Sequence, residues 1–152
     1  MITKSVFDSA DVAALVTRIE RLTPETRPQW GKMSVDQMLA HVNVPYIMVY
    51  EDTLPKPGWL MVQLLKLFAK KTVVGPDPYP RNTKTAPAFI MTGTKDFANE
   101  KAQLIAWLHR VQKEGATRFD GRQSASFGPL TTAEWNVLFY KHLDHHLTQF
   151  GV

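Results

Sequence analysis

The sequence contains no cysteine. That absence removes disulfide scaffolds, thiolate metal sites and cysteine nucleophiles together, so any metal must be held by His, Asp or Glu. Long apolar runs are missing too. The longest, Trp59 to Ala69, is broken by Gln63 and Lys66 and falls well short of the roughly 20 residues that span a bilayer. Met1 to Phe7 has one lysine and no apolar run of signal-peptide length, so export is not expected and the cytoplasm is the default location. Nor is there a strong charge of one sign. The 18 Lys and Arg are scattered among 14 acids, for a formal charge of +4, and only Lys66, Lys70 and Lys71 cluster. A solvated helix end accounts for that cluster, and neither a nucleic-acid nor a membrane partner is expected.

What the chain does have is an ordinary globular composition, 44% hydrophobic and 21% charged. A chain of 152 residues can bury roughly two-thirds of the surface its unfolded form exposes, enough for a core without covalent staples. No repeat, low-complexity tract or long linker divides it, so residues 1–152 read as one domain.

Helical periodicity dominates. Asp8 or Ser9 is placed to cap a first helix through Val12, Leu15, Val16, Ile19 and Leu22, ending before Pro24. Ser34-Val35-Asp36-Gln37 reads as a capping box that opens a second helix carrying Met38, Leu39, His41, Val42, Tyr46 and Val49. Pro45 lies inside that helix and clashes with the carbonyl of His41, so a kink is expected there. A third helix is expected from Trp59 to about Val73. Pro76, Pro78, Pro80 and Pro87 then force extended or looped chain, and although Ala86 to Met91 alternates as a short strand would, a loop is expected. Thr94 or Asp96 should start a helix with Phe97, Leu104, Ile105, Leu108 and Val111 on one stripe and Gly115 at its end. Residues 116–130 form a polar connector. Thr131-Thr132-Ala133-Glu134 supplies a second capping box for a last helix through Trp135, Leu138, Phe139, Leu143, Leu147 and Phe150. The fold class is therefore all-α, a four-helix bundle with long crossover connections.

The last helix carries the chemistry. His146 lies about 40° around it from His142 and one turn along, so both rings reach one point at the edge of the buried stripe. Two imidazoles at this spacing meet at a divalent ion in helical zinc enzymes. Spacing alone also fits an incidental pair, with one ring hydrogen-bonded in the core and the other in solvent. A third ligand decides between the two, and His41 is the candidate, on an amphipathic helix beside the Pro45 kink. His145 reads as a half-exposed neighbour, Asp144 as a surface residue and His109 as a partly exposed helix residue. Asp52 and Glu134 read as surface charges, with a role in orienting a ligand as the alternative.

Three segments carry a resemblance: Trp30-Gly31-Lys32-Met33-Ser34-Val35-Asp36-Gln37-Met38-Leu39-Ala40-His41, Phe127-Gly128-Pro129-Leu130, and Lys141 to Gly151 with its His142-x-x-x-His146 pair. In this order, over nearly the whole chain, they resemble the DinB-like superfamily of metal-binding four-helix bundles, and within it a bacterial branch of unassigned function. The resemblance implies one metal held by His41, His142 and His146, the three residues the face analysis selects. It also implies a thiol-dependent transferase or isomerase, using a low-molecular-weight thiol and acting on a small molecule. One departure stands out: where that branch often has a histidine and a proline before its Phe-Gly pair, this chain has Ser124-Ala125-Ser126.

Three imidazoles leave open positions on a divalent ion, zinc or nickel first and iron or manganese next, since all accept this ligand. The sequence therefore points to a metal-dependent enzyme, a transferase or hydrolase, with no general acid or base identified. Two other readings stay open. One is a non-catalytic stress-response or small-molecule-binding bundle that the metal staples, and the other an interaction module whose Trp59–Phe68 stripe packs against a second copy in a homodimer.

Overall fold

The structure is a computed structural model that describes residues 4–82 and 85–152. The first three residues of the Met1–Phe7 stretch, and residues 83 and 84 of the proline-rich connector, lie outside it.

Six α-helices are present among the described residues: α1 Ser9–Glu20, α2 Val35–Tyr50, α3 Trp59–Phe68, α4 Lys70–Val74, α5 Phe97–Glu114 and α6 Thr132–Gln149. Each long helix begins where its capping chemistry places it. The Asp8 carboxylate accepts from the amides of Ala10 and Asp11 at α1, and Asp96 accepts from Asn99 at α5. Gln37 Oε1 accepts from the Ser34 amide at 3.3 Å, and Glu134 Oε2 from the Thr131 amide at 2.9 Å, so both expected capping boxes form. α2 continues through Pro45 to Tyr50. α5 ends at Gly115, whose φ of 78° a side chain would resist.

The longer helices α1, α2, α5 and α6 share one core: α5 packs on α1 and α2, and α6 packs on both as well. Leu15, Ile19, Met38, Leu39, Leu104, Leu108, Trp135 and Phe139 fill it. Aromatic rings stack at the α2–α6 seam, Tyr46 on Phe139 with centroids 4.6 Å apart.

Two local expectations change. The single helix from Trp59 to Val73 is split at Ala69, which takes φ −111° and separates α3 from α4. Ala86 to Met91 forms no strand, as expected, and holds a 3₁₀ turn at Pro87–Phe89. The connector 116–130 is more ordered than its polarity suggested. It contains a 3₁₀ turn at Ala116–Phe119 and a two-residue antiparallel pair, β1 Gln123–Ser124 with β2 Gly128–Pro129, pinned by the buried side chains of Phe119, Phe127 and Leu130.

Candidate metal centre

α2 and α6 face each other across the core, and the facing positions are the histidines. His41 and His146 are buried and His142 is half-buried. The ring of His41 lies 4.9 Å from that of His142 and 4.6 Å from that of His146, centroid to centroid. One nitrogen from each of the three lies within 4.8 Å of the others. The three expected ligands thus come together, and the set is able to hold a metal ion.

Hydrogen bonds determine which nitrogens point inward. His41 Nδ1 is 2.8 Å from the Phe89 carbonyl oxygen. A carbonyl only accepts, so Nδ1–H donates and His41 Nε2 keeps its lone pair. His146 Nδ1 is 2.8 Å from Gln149 Oε1. The amide is oriented in turn, because Gln149 Nε2 donates to the Trp30 carbonyl at 2.7 Å. His146 therefore also donates through Nδ1 and presents a bare Nε2. His142 Nε2 stands 2.9 Å from His41 Nε2. Two lone pairs at that distance repel unless a proton or a cation lies between them.

The donor set fits a divalent ion. Nitrogens each about 2.0–2.1 Å from one tetrahedral zinc ion are about 3.3 Å apart; here His41 Nε2 and His142 Nε2 are 2.9 Å apart and one nitrogen of each ring lies within 4.8 Å of the others. Metal binding requires neutral imidazoles. Burial depresses the pKa of His41, and holds that of His142 well below its usual value with neighbouring His146 and His41 adding to the effect. His146 is pushed down to about 3, chiefly by burial and then by His41.

A cavity of about 740 Å³ opens in front of the three rings. Its walls are mostly apolar, with Met48, Leu65, Phe68, Val73, Phe127 and Leu138 prominent. α4 forms part of the wall and is tied to α6 by Lys141, whose ammonium donates to the carbonyls of Thr72, Gly75 and Asp77 at 2.7, 2.7 and 3.0 Å. Ser124, Ala125 and Ser126 also line the cavity, so the segment that departs from the resembled pattern borders the space a ligand would fill.

His145 is half-buried and lines the same cavity, with Tyr79 at 5.5 Å and His146 at 5.1 Å between ring centroids, but it is not one of the converging three. Asp144 pairs with Arg18 at 2.6 Å, and His109 is exposed. Asp52 is exposed and pairs with Lys56, while Glu134 caps α6 and pairs with Lys70. Neither acid orients a histidine. The groups that do, the Phe89 carbonyl and Gln149, were missed from sequence. Gln149 carried a readable signal, since a residue three after His146 lies on the same helix face; the Phe89 carbonyl, a backbone group on a distant turn, carried none.

Gly31 explains how Gln149 gets close enough. Its φ is +83°, and a Cβ there would stand 2.6 Å from Gln149 Nε2. The Gln29 amide meanwhile donates to the Gln149 carbonyl at 2.7 Å, so the Trp30-Gly31 segment and the end of α6 form one joint.

The chain matches, over residues 1–151, a family model described as "Protein of unknown function (DUF1569)", and it belongs to that family. Comparison with curated proteins and with solved structures gave no match. Among the described residues no helix is long and apolar enough to cross a membrane.

Proposed function

We propose that this protein is a metal-dependent enzyme of the DinB-like four-helix type, in which His41, His142 and His146 hold a divalent ion at the inner end of the cavity. The carrying observation is the pairing of two inward Nε2 lone pairs, fixed by Phe89 and Gln149, with a cavity of about 740 Å³ directly before them. A site meant only to staple helices is closed on all sides, whereas three ligands facing open space leave a position for substrate.

The bound ion supplies Lewis acidity, lowering the pKa of a coordinated water or thiol. The chain's own residues do the rest. His41 and His146 are oriented by their Nδ1–H bonds, which leave Nε2 of each free to take the ion. The apolar wall of Met48, Leu65, Phe127 and Leu138 excludes water and selects a substrate with an apolar body. With no cysteine in the chain, any thiol comes from the substrate, as in a thiol-dependent transferase or isomerase; a hydrolase would use water. His145 lines the cavity beside the ligands and is the side chain positioned to move a proton.

Elemental analysis of protein purified without a histidine tag tests the reading. One zinc, nickel, iron or manganese per chain is expected, lost in His142→Ala. Sub-stoichiometric metal, unchanged by the substitution and by chelator, would sink the proposal.

A further inference from the structure

Beside the large cavity lies a second hollow of about 230 Å³. The two share Trp30, Tyr79 and His145 as walls. The smaller one therefore adjoins the metal centre through His145, whose ring is 5.1 Å from that of His146. Their linings differ in kind. Among the described residues no Asp or Glu borders the large cavity, whereas Arg81, Lys141 and Asp144 border the small one.

The charges of the small hollow do not cancel. Asp144 is taken by Arg18, which stands outside it, at 2.6 Å. Among the described residues Arg81 and Lys141 form no ion pair. Lys141 is buried, donates to the carbonyls of Thr72, Gly75 and Asp77, and holds its ammonium over the Tyr79 ring at 4.2 Å. Carbonyls and a ring face solvate a cation without neutralising it. The carboxylate of the exposed Asp77 acts on Lys141 only from beyond ion-pair range. Arg81 is exposed and lies over the Trp30 ring at 4.2 Å. A guanidinium held over a ring keeps N–H donors of its planar fork for another partner. The platform is itself fixed, because the Trp30 carbonyl accepts from Gln149 Nε2 at 2.7 Å.

We propose that the small hollow binds a carboxylate of the substrate, with Arg81 as its hydrogen-bonding partner and Lys141 adding positive charge, while the substrate's apolar body lies in the large cavity. The substrate class is then an apolar carboxylic acid. The donors favour carboxylate over phosphate. Lys141 has spent its three N–H groups on carbonyls, so Arg81 supplies the one cationic fork, which matches two coplanar oxygens. A third phosphate oxygen would find no cationic donor. The inference rests on the reading of the large cavity as a substrate site, but it needs no bound ion.

Isothermal titration calorimetry of the chelator-treated full chain, with phenylbutyrate and with its neutral amide, tests it. Removing the ion keeps the carboxylate from ligating it, so a preference for the acid reports the hollow. The acid is expected to bind at least about tenfold more tightly than the amide, the size of one charge-assisted hydrogen bond. Arg81→Gln should abolish that preference by weakening the acid alone. Arg81→Lys, which keeps the charge but not the fork, should retain part of it, and His142→Ala should retain it whole. Equal binding of acid and amide, or a preference that survives Arg81→Gln, overturns the carboxylate site and leaves the metal reading standing. Tighter binding of phenylbutyl phosphate overturns the choice of carboxylate. Binding of neither probe overturns the large cavity as a substrate site and the carboxylate site with it, whatever metal content elemental analysis finds.

Discussion

α2 takes polar side chains into the protein, while α3 turns apolar ones out to solvent. On α2, His41 and Asn43 are 5% and 0% exposed. The His41 ring bonds to the Phe89 carbonyl, and Asn43 Nδ2 donates to the Glu100 carbonyl and carboxylate at 3.0 and 2.8 Å, while Asn43 Oδ1 is buried without a partner among the described residues. Buried polar groups are tolerated when bonded in this way. On α3 the side chains of Leu60, Met61, Leu64, Leu67 and Phe68 stay exposed, and Leu65 is the one that packs against the core. The contrast teaches that position, not polarity alone, decides burial here. Both helices contribute to one cavity, the first with His41 and the second with Leu65 and Phe68.

The comparison breaks first, and by the largest margin, if side-chain truncation costs the same on both sides. Leu108 is wholly buried, and Leu108→Ala should destabilise by about 2–5 kcal/mol through lost burial and the cavity left behind. Leu67 is 74% exposed, and Leu67→Ala should change stability by less than about 0.5 kcal/mol. Urea unfolding followed by circular dichroism reads both. A large loss at Leu67 in dilute protein would mean that α3 is covered in solution.

Acid provides the next test, on metal-free protein. His146 has its pKa pushed down to about 3 in the folded chain against an ordinary value of 6.5. Between those values the unfolded chain takes up a proton that the folded one refuses. Stability is therefore full above pH 6.5 and falls as the pH drops toward 3, by about 1.4 kcal/mol for each pH unit crossed while only this group differs. His41 and His142 shift in the same direction and steepen the loss. The melting temperature of chelator-treated protein should fall over this range, and less steeply in His146→Gln, where His41 and His142 still contribute. Substitutions on α3, which has no titrating histidine, should leave the acid dependence as it is. A flat profile in the unmodified protein would show that the histidines are not buried as a group.

Much of this was legible in the chain. Capping residues Asp8, Ser34, Asp96 and Thr131 marked the starts of the longer helices because side-chain oxygens must satisfy amides that no helix turn can. The two His on α6 were readable because spacing along one helix determines direction. His41 needed more, since its facing depends on how α2 packs on α6: its place on an amphipathic helix made it the candidate, and the resemblance agreed. The β1–β2 pair was hidden in polar residues, its order coming from Phe119, Phe127 and Leu130 settling into a core that no local pattern announces. The exposure of α3 was hidden for the opposite reason. An apolar stripe reads as core, and only the assembled fold reveals that nothing in the described chain covers it.

The finest test concerns a single amide on the inward side. Gln149 touches no metal, yet its Oε1 accepts from His146 Nδ1 while its Nε2 holds the Trp30 carbonyl. Gln149→Leu removes both bonds with little change in volume, leaving the ring of His146 free to turn and its Nδ1–H buried without an acceptor. Metal affinity, measured by competition with a chromophoric chelator, should fall about 10–100-fold, the usual effect of losing a group that orients a histidine ligand. Gln149→Glu keeps an acceptor for Nδ1 but sets a carboxylate against the Trp30 carbonyl, so its affinity should lie between the two. Unaltered affinity in Gln149→Leu would mean that the packing of α6 alone aims His146. The joint between Gly31 and the end of α6 would then serve the fold and not the site.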